Sequence, residues 1–132
     1  MNKKIRNRLD KNRRKDELSA NARLFLSTKS GKGVFGSGKW ELLSAVETHG
    51  SLHKAAGLLK RSYRKAWSDI NTAEQRLGFA LVTRSRGGAA GGTMLLTRQG
   101  RQFLRAWERF SGGVMKEVEK SYEKYILNIV NK

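Results

Sequence analysis

Two serine-capped apolar stripes, only a few residues apart, constrain this chain more than any other feature of it. Ser51 precedes Leu52, Ala55, Ala56 and Leu59, which recur at i, i+3, i+4 and i+7, and Ser62 precedes Ala66, Ile70, Ala73 and Leu77, with Gly78 following. A serine just outside a one-sided stripe offers its hydroxyl to the unpaired N–H groups of the first helical turn. A glycine just past the stripe takes the left-handed conformation that ends a helix. The spacing therefore predicts a short helix running to Leu59 and a longer one ending at Gly78, with Lys60 and Arg61 in the turn between them. Two capped helices joined so tightly have the geometry of a helix-turn-helix, whose second helix is presented to the major groove of DNA.

The outward face of the second helix is what makes that geometry useful. Arg61, Arg64, Lys65, Ser68 and Thr72 fall at i, i+3, i+4, i+7 and i+11, which gathers three cations and two hydroxyls on one side. Four of the six residues in KRSYRK are basic, and they cluster where backbone N–H groups and the helix dipole already attract phosphate. The plain alternative for such a face is a solvated charged surface. The whole chain points the same way: of 132 residues, 28 are Lys or Arg and 11 are Asp or Glu, a net charge of +17. Residues 1–21 hold eight of the cations against three acids with few large apolar groups, and read as a disordered basic arm or simply a solvated tail.

The remaining segments supply a scaffold. RLFLST and VFG, with Gly31 and Gly33 at the turn, read as an N-terminal β-hairpin that caps the core. Gly38 to Thr48 carries Leu42, Leu43 and Val46 at helical spacing before His49-Gly50 stops it. ALVTR and TMLL read as two strands joined by SRGGAAGG, a β wing with Arg84 and Arg86 at its base. Thr97 caps a final long helix whose apolar residues Phe103, Trp107, Phe110, Val114, Val118, Tyr122, Tyr125 and Ile129 recur with an 11-residue period, suited to a nearly straight helix pair. This stripe outruns one small core, so the part from Trp107 to Ile129 is expected to meet a second copy of the chain, unless Gly112-Gly113 breaks the helix and the rest folds back. The expected organisation is a basic arm over 1–21, a domain over 22–110 and a dimerising extension over 111–132. The expected fold is mainly α with a little β.

Several chemistries are excluded. Without cysteine there is no disulfide scaffold, thiolate zinc site or cysteine nucleophile. Gly33 to Trp40 nearly matches GxxxxGK(S/T), but Trp40 replaces the hydroxyl that would hold Mg²⁺, and the segment lies in a hairpin rather than a βαβ unit. His49 and His53 are split onto different elements by Gly50-Ser51, so no metal is expected. No nucleophile elbow or apolar-pocket carboxylate pair stands out. No enzyme and no cofactor are expected. No apolar run is long enough for a membrane span and the N-terminus has no signal-peptide core, so the chain is expected to be cytoplasmic, associated with the nucleoid and not with a membrane.

The motifs GSLHKAAGLLKRSYRKAWSDI, LGFALVTRSRGGAAGG and LLTRQG, in that order, resemble the N-terminal winged helix-turn-helix of molybdate-responsive (ModE-type) transcriptional regulators and, more loosely, LysR-type regulators. The likeness runs from about Arg23 to Phe110. It implies a homodimer on a palindromic operator in double-stranded DNA. Ser62, Tyr63, Arg64, Lys65 and Ser68 would read or anchor, and the Arg84 to Gly92 wing would touch the flanking backbone. The turn departs from the family: Lys60 and Arg61 stand where Gly and an apolar residue are usual, so Lys60 must take a left-handed conformation at a cost on the order of 1 kcal/mol. Full-length ModE-type regulators bind molybdate through C-terminal domains. As this chain ends at Lys132, molybdate is not expected to be its ligand. A sequence-specific regulator is the first expectation. A non-specific architectural DNA binder, favoured by the charge, and an accessory partner of another regulator, favoured by the long stripe, are the others.

Overall fold

The computed structural model describes residues 17–85 and 92–130, and in it residues 23–112 form one compact unit. Within that unit Gly31, at φ +95, turns the chain between β1 (Phe25–Ser27) and β2 (Gly33–Gly36), which pair antiparallel with Leu26 opposite Phe35. Gly33 is the first residue of β2 rather than part of the turn. The strand delivers Val34 and Phe35 to the interior, where the Phe35 ring meets Phe103 and Trp107 edge-on, with centroids 4.7 and 5.2 Å away.

Three helices follow: α1 (Ser37–His49), α2 (Leu52–Leu58) and α3 (Tyr63–Leu77). Their predicted stripes form the centre of the core: Leu42, Leu43 and Val46 from α1, Leu52, Ala55 and Ala56 from α2, and Ala66, Ile70 and Ala73 from α3 are buried. The alanines on α2 and α3 let the two helices approach closely, while the larger α1 side chains fill the space between them. Gly50 and Gly78, both at positive φ, end α1 and α3 as expected.

Strands β3 (Val82–Arg84) and β4 (Met94–Leu96) pair antiparallel with Val82 opposite Leu96, and Ser85 N–H continues the ladder to Thr93 O. The hairpin is tied at both ends, since Met94 N–H donates to Gly50 O at 2.9 Å and Thr97 N–H donates to Leu81 O at 2.9 Å. The wing tip, 86–91, and with it Arg86, lies outside the described residues, as does most of the predicted basic arm.

Helix α4 (Arg98–Tyr122) starts on Thr97, whose hydroxyl accepts from Gly100 N–H at 2.8 Å and donates to Ala80 O at 2.7 Å. Gly112-Gly113 do not break it. In a long helix, two glycines cost only about 1 kcal/mol each, and the turns on both sides continue the hydrogen-bond ladder. One predicted dimer residue needs correction: Trp107 is 6% exposed and packed against Phe35, so it belongs to this unit's own core. Phe110 remains exposed.

The second unit comprises the described residues 17–22 and 113–130. Here Tyr122 O–H donates to Leu18 O at 3.3 Å, and Tyr125, Ile126 and Ile129 are exposed. A π-helical turn, Glu123–Leu127, follows α4 and leads to the short α5 (Asn128–Val130). Its extra residue per turn shifts the 11-residue stripe after Tyr122, which the apolar spacing alone did not reveal.

Gly100 is the tightest point of the unit, because a Cβ there would sit 2.1 Å from Leu81 O, a backbone atom that Thr97 N–H already holds. Gly100→Ala is therefore expected to destabilise the protein by about 3 kcal/mol, the upper end of ordinary overpacking, as read from urea unfolding midpoints. Gly57→Ala, where a Cβ meets nothing within 4 Å, is the matched control.

Candidate nucleic-acid interface

The α2–α3 turn is built from backbone hydrogen bonds. Arg61 N–H donates to Ala56 O at 2.9 Å and Lys60 N–H to Gly57 O at 3.2 Å, the two reverse bonds of a Schellman cap. This cap needs a left-handed residue just beyond the helix, and Lys60 supplies it at φ +55, the one non-glycine residue in that region among those described. The apolar contact that normally accompanies such a cap is replaced by charge. The Arg61 guanidinium reaches across to α1, donating to Gly38 O at 2.8 Å and to the Glu41 carboxylate at 3.1 Å. Arg61, grouped by spacing with the reading face, thus points at α1.

Ser62 then caps α3 as the sequence implied, its hydroxyl accepting from Lys65 N–H at 3.1 Å, just as Ser51 accepts from Lys54 N–H on α2. With about 100° per residue, burial of Ala66, Ile70 and Ala73 turns Arg64, Ser68, Asn71 and Gln75 outward, with Lys65 and Thr72 on one flank and Tyr63, Trp67 and Glu74 on the other. Arg64 makes no ion pair with any described residue. Lys65 bonds Asp69 at 2.9 Å but stays 70% exposed. Tyr63 stacks on His53 of α2, with ring centroids 4.0 Å apart and planes 8° from parallel.

Asn71 and Gln75 were missed by the search for cations and hydroxyls, although both lie on the outward arc and carry amides, which pair with base edges at least as specifically. Glu74 was missed for a different reason: its role depends on a strand that only folding brings near. Its carboxylate, 12% exposed, accepts from Leu81 N–H at 2.8 Å and Val82 N–H at 3.2 Å, and from Arg84 at 3.1 Å. The same Arg84 nitrogen donates to Asn71 Oδ1 at 3.3 Å, and the guanidinium lies 5.5 Å from the Trp67 ring centre. Arg84, assigned to the wing, thus lies against α3.

On the flank toward β2, Lys39 donates to Val34 O at 3.1 Å, and burial pushes its ammonium below the usual lysine range. The lysine of the near-phosphate-loop pattern is therefore occupied by the hairpin's own backbone, and Arg76 bonds Gly33 O beside it. No group of three or more His, Cys, Asp or Glu that could hold a metal ion occurs among the described residues. No described helix is long and apolar enough to cross a membrane.

Comparison with known proteins bears on this geometry. Residues 38–101 match the bacterial regulatory helix-turn-helix family of lysR type. The chain is 34% identical over 89 residues to the molybdenum-pterin-binding protein MopB of Rhodobacter capsulatus, covering 67% of this chain and 33% of that one. It is 36% identical over 83 residues to the molybdenum transport protein ModE of Azotobacter vinelandii, covering 63% and 30%. The DNA-binding transcriptional dual regulator ModE of Escherichia coli K12 matches at 34% over 67 residues, covering 51% and 26%. The chain thus spans about a third or less of the length of these curated relatives. In structure it is similar to the DNA-binding domain of CbnR, solved in complex with DNA, with a TM-score of 0.52 over 65% of this chain and 93% of that one. At 24% identity this likeness establishes the fold, a winged helix-turn-helix.

Because Lys60 holds a left-handed position that glycine adopts freely, Lys60→Gly is expected to raise stability by about 1 kcal/mol in urea or thermal unfolding. Lys60→Ala, which keeps the penalty, is expected to leave stability near that of the wild type.

Proposed function

With residues 38–101 forming a lysR-type helix-turn-helix domain in a chain similar to ModE-type regulators, we propose that the protein is a sequence-specific, homodimeric DNA-binding transcriptional regulator. The observation that carries this reading is the outward arc of α3, where an unpaired Arg64 stands with Ser68, Asn71 and Gln75 on a helix whose other side is buried. Arg64 can donate both its forks to guanine O6 and N7, Gln75 can pair with adenine N6 and N7, and Ser68 bonds either base type. Lys60, Lys65 and the α3 N-terminus, with Ser62 and Tyr63, lie where phosphates flank a helix docked in the major groove.

A second copy fits the exposed Phe110, Tyr125 and Ile129 and the half-buried Val114, Val118 and Tyr122, and two-fold symmetry then requires an inverted-repeat operator with half-sites about one helical turn apart. Molybdenum appears in the names of two of the relatives, and no role for it is assigned to this chain.

Selection from a random duplex library at about 150 mM salt tests the proposal. An inverted repeat bound roughly 10³-fold or more above scrambled DNA is expected. Tight, salt-sensitive binding to every sequence would instead mark an architectural DNA-binding protein, the outcome that the +17 charge favours. On the selected operator, Arg64→Ala is expected to relax discrimination at one base position by about 1–3 kcal/mol and leave the other positions unchanged.

A further inference from the structure

Arg84 lies at the base of the wing, where a cation would be expected to face the DNA backbone. Its guanidinium, however, is engaged by side chains of α3. One nitrogen donates to both the Glu74 carboxylate, at 3.1 Å, and the Asn71 side-chain oxygen, at 3.3 Å, while its plane lies near Trp67. Glu74 is in turn fixed by the backbone N–H groups of Leu81 and Val82, so Arg84 rests on a carboxylate that cannot swing away. Arg84 remains 36% exposed, yet two acceptors on α3 already share that nitrogen.

The consequence falls on Asn71. An asparagine amide presents a donor on one side and an acceptor on the other, and a free one can rotate to offer either. Arginine has only donors, so only the amide oxygen can face it. On α3 the Glu74 and Trp67 flank lies to one side of Asn71, and Arg64, Ser68 and Gln75 lie to the other. With its oxygen drawn to the flank by Arg84, Asn71 turns its NH₂ toward the outward arc. We infer that Arg84 is a positioning residue that makes Asn71 a one-way hydrogen-bond donor and thereby helps set the operator sequence. This inference rests on the DNA-reading role proposed for α3.

The chemistry on the DNA side follows. Major-groove acceptors are purine N7, guanine O6 and thymine O4, whereas cytosine offers only a donor at N4. Asn71 with its NH₂ outward therefore accepts guanine, adenine or thymine and rejects cytosine, which would place two donors face to face. An asparagine released from Arg84 would rotate its oxygen outward and bond cytosine N4 equally well. The wing thus contributes to base choice without reaching the base.

The test is a double-mutant cycle on the selected operator with each base in turn at every position, using wild type, Arg84→Met, Asn71→Ala and the double variant. Methionine keeps the length that covers Trp67 and removes the donors, and Glu74 keeps its two backbone partners. Circular dichroism melting checks that each variant folds. Wild type is expected to disfavour cytosine at one position by roughly threefold to tenfold, the size of one neutral hydrogen bond. Arg84→Met is expected to erase that preference there and nowhere else, with the salt slope of binding unchanged, and to have no further effect at that position in the Asn71→Ala background.

A uniform loss of affinity on all sequences with a salt slope shallower by about one, additive with Asn71→Ala, would make Arg84 a phosphate contact and overturn the inference while leaving the regulator reading intact. A folded wild type with no base preference at any position would overturn both. If Arg84→Met does not fold, Arg84→Lys, which like arginine has only donors and so still draws the Asn71 oxygen, tests the inference from the opposite side. It is expected to retain the discrimination against cytosine, and losing it would overturn the inference.

Discussion

The carboxylate of Glu74 is the contact that fixes the wing against α3. It sits in the last turn of α3 and accepts two backbone N–H groups at the start of β3. The strand ladder leaves both N–H groups without a partner, and they would otherwise be buried donors unpaired, at a cost of about 1–3 kcal/mol each. By accepting both, one side chain fixes the wing to the helix it flanks. Arg84 completes the arrangement from the far side, so that helix, strand and wing base share one charge-assisted network. An apolar residue at 74 would leave α3 and the wing attached only through the core, free to shift against each other by the small distances that matter for base recognition.

At the other end of α3, a second fixed geometry comes almost wholly from backbone. The reverse hydrogen bonds at Lys60 and Arg61 set the angle between α2 and α3, and the left-handed Lys60 is accepted because the cap satisfies carbonyls that a helix end leaves open. Arg61 then secures the turn to α1 by bonding Gly38 O, a carbonyl in the first turn of that helix. The turn therefore carries two cations where an apolar contact is usual, and they have different tasks: Lys60 stays exposed, and Arg61 locks three helices together.

Much of this architecture was legible in the sequence. Ser51, Ser62, Gly50 and Gly78 mark helix ends by local chemistry, and the buried residues of α1, α2 and α3 are those with helical periodicity. The left-handed Lys60 was also legible, since it stands where glycine is usual. What escaped was everything that depends on partners distant in sequence. Spacing places Arg61 and Arg64 on one face, but Arg61 precedes the helix, and its guanidinium follows Glu41 on α1. Trp107 has the periodicity of an exposed stripe, yet Phe35 from the hairpin covers it. Glu74 and Asn71 look like ordinary polar positions on a solvated face until β3 arrives beside them. The π-helical turn after Tyr122 leaves no mark in the apolar pattern.

These partnerships also change how the positive charge acts. Of the five arginines and lysines placed by sequence on or beside α3, namely Lys60, Arg61, Arg64, Lys65 and Arg84, three have a carboxylate neighbour: Arg61 has Glu41, Lys65 has Asp69 and Arg84 has Glu74. Exposed ion pairs are worth about 0–1 kcal/mol, so Lys65, largely in solvent, can exchange Asp69 for a phosphate at little cost. Arg84 cannot do so as cheaply, since leaving would strand a Glu74 carboxylate that is mostly out of water. The net charge of +17 therefore overstates the field that α3 itself presents. A surface that attracted phosphate with every cation would bind all sequences well and distinguish few. Committing Arg61 and Arg84 to the protein leaves Arg64, flanked by Ser68, Asn71 and Gln75, without a carboxylate among the described residues, and under the role proposed for α3 this is the division of labour that sequence recognition requires.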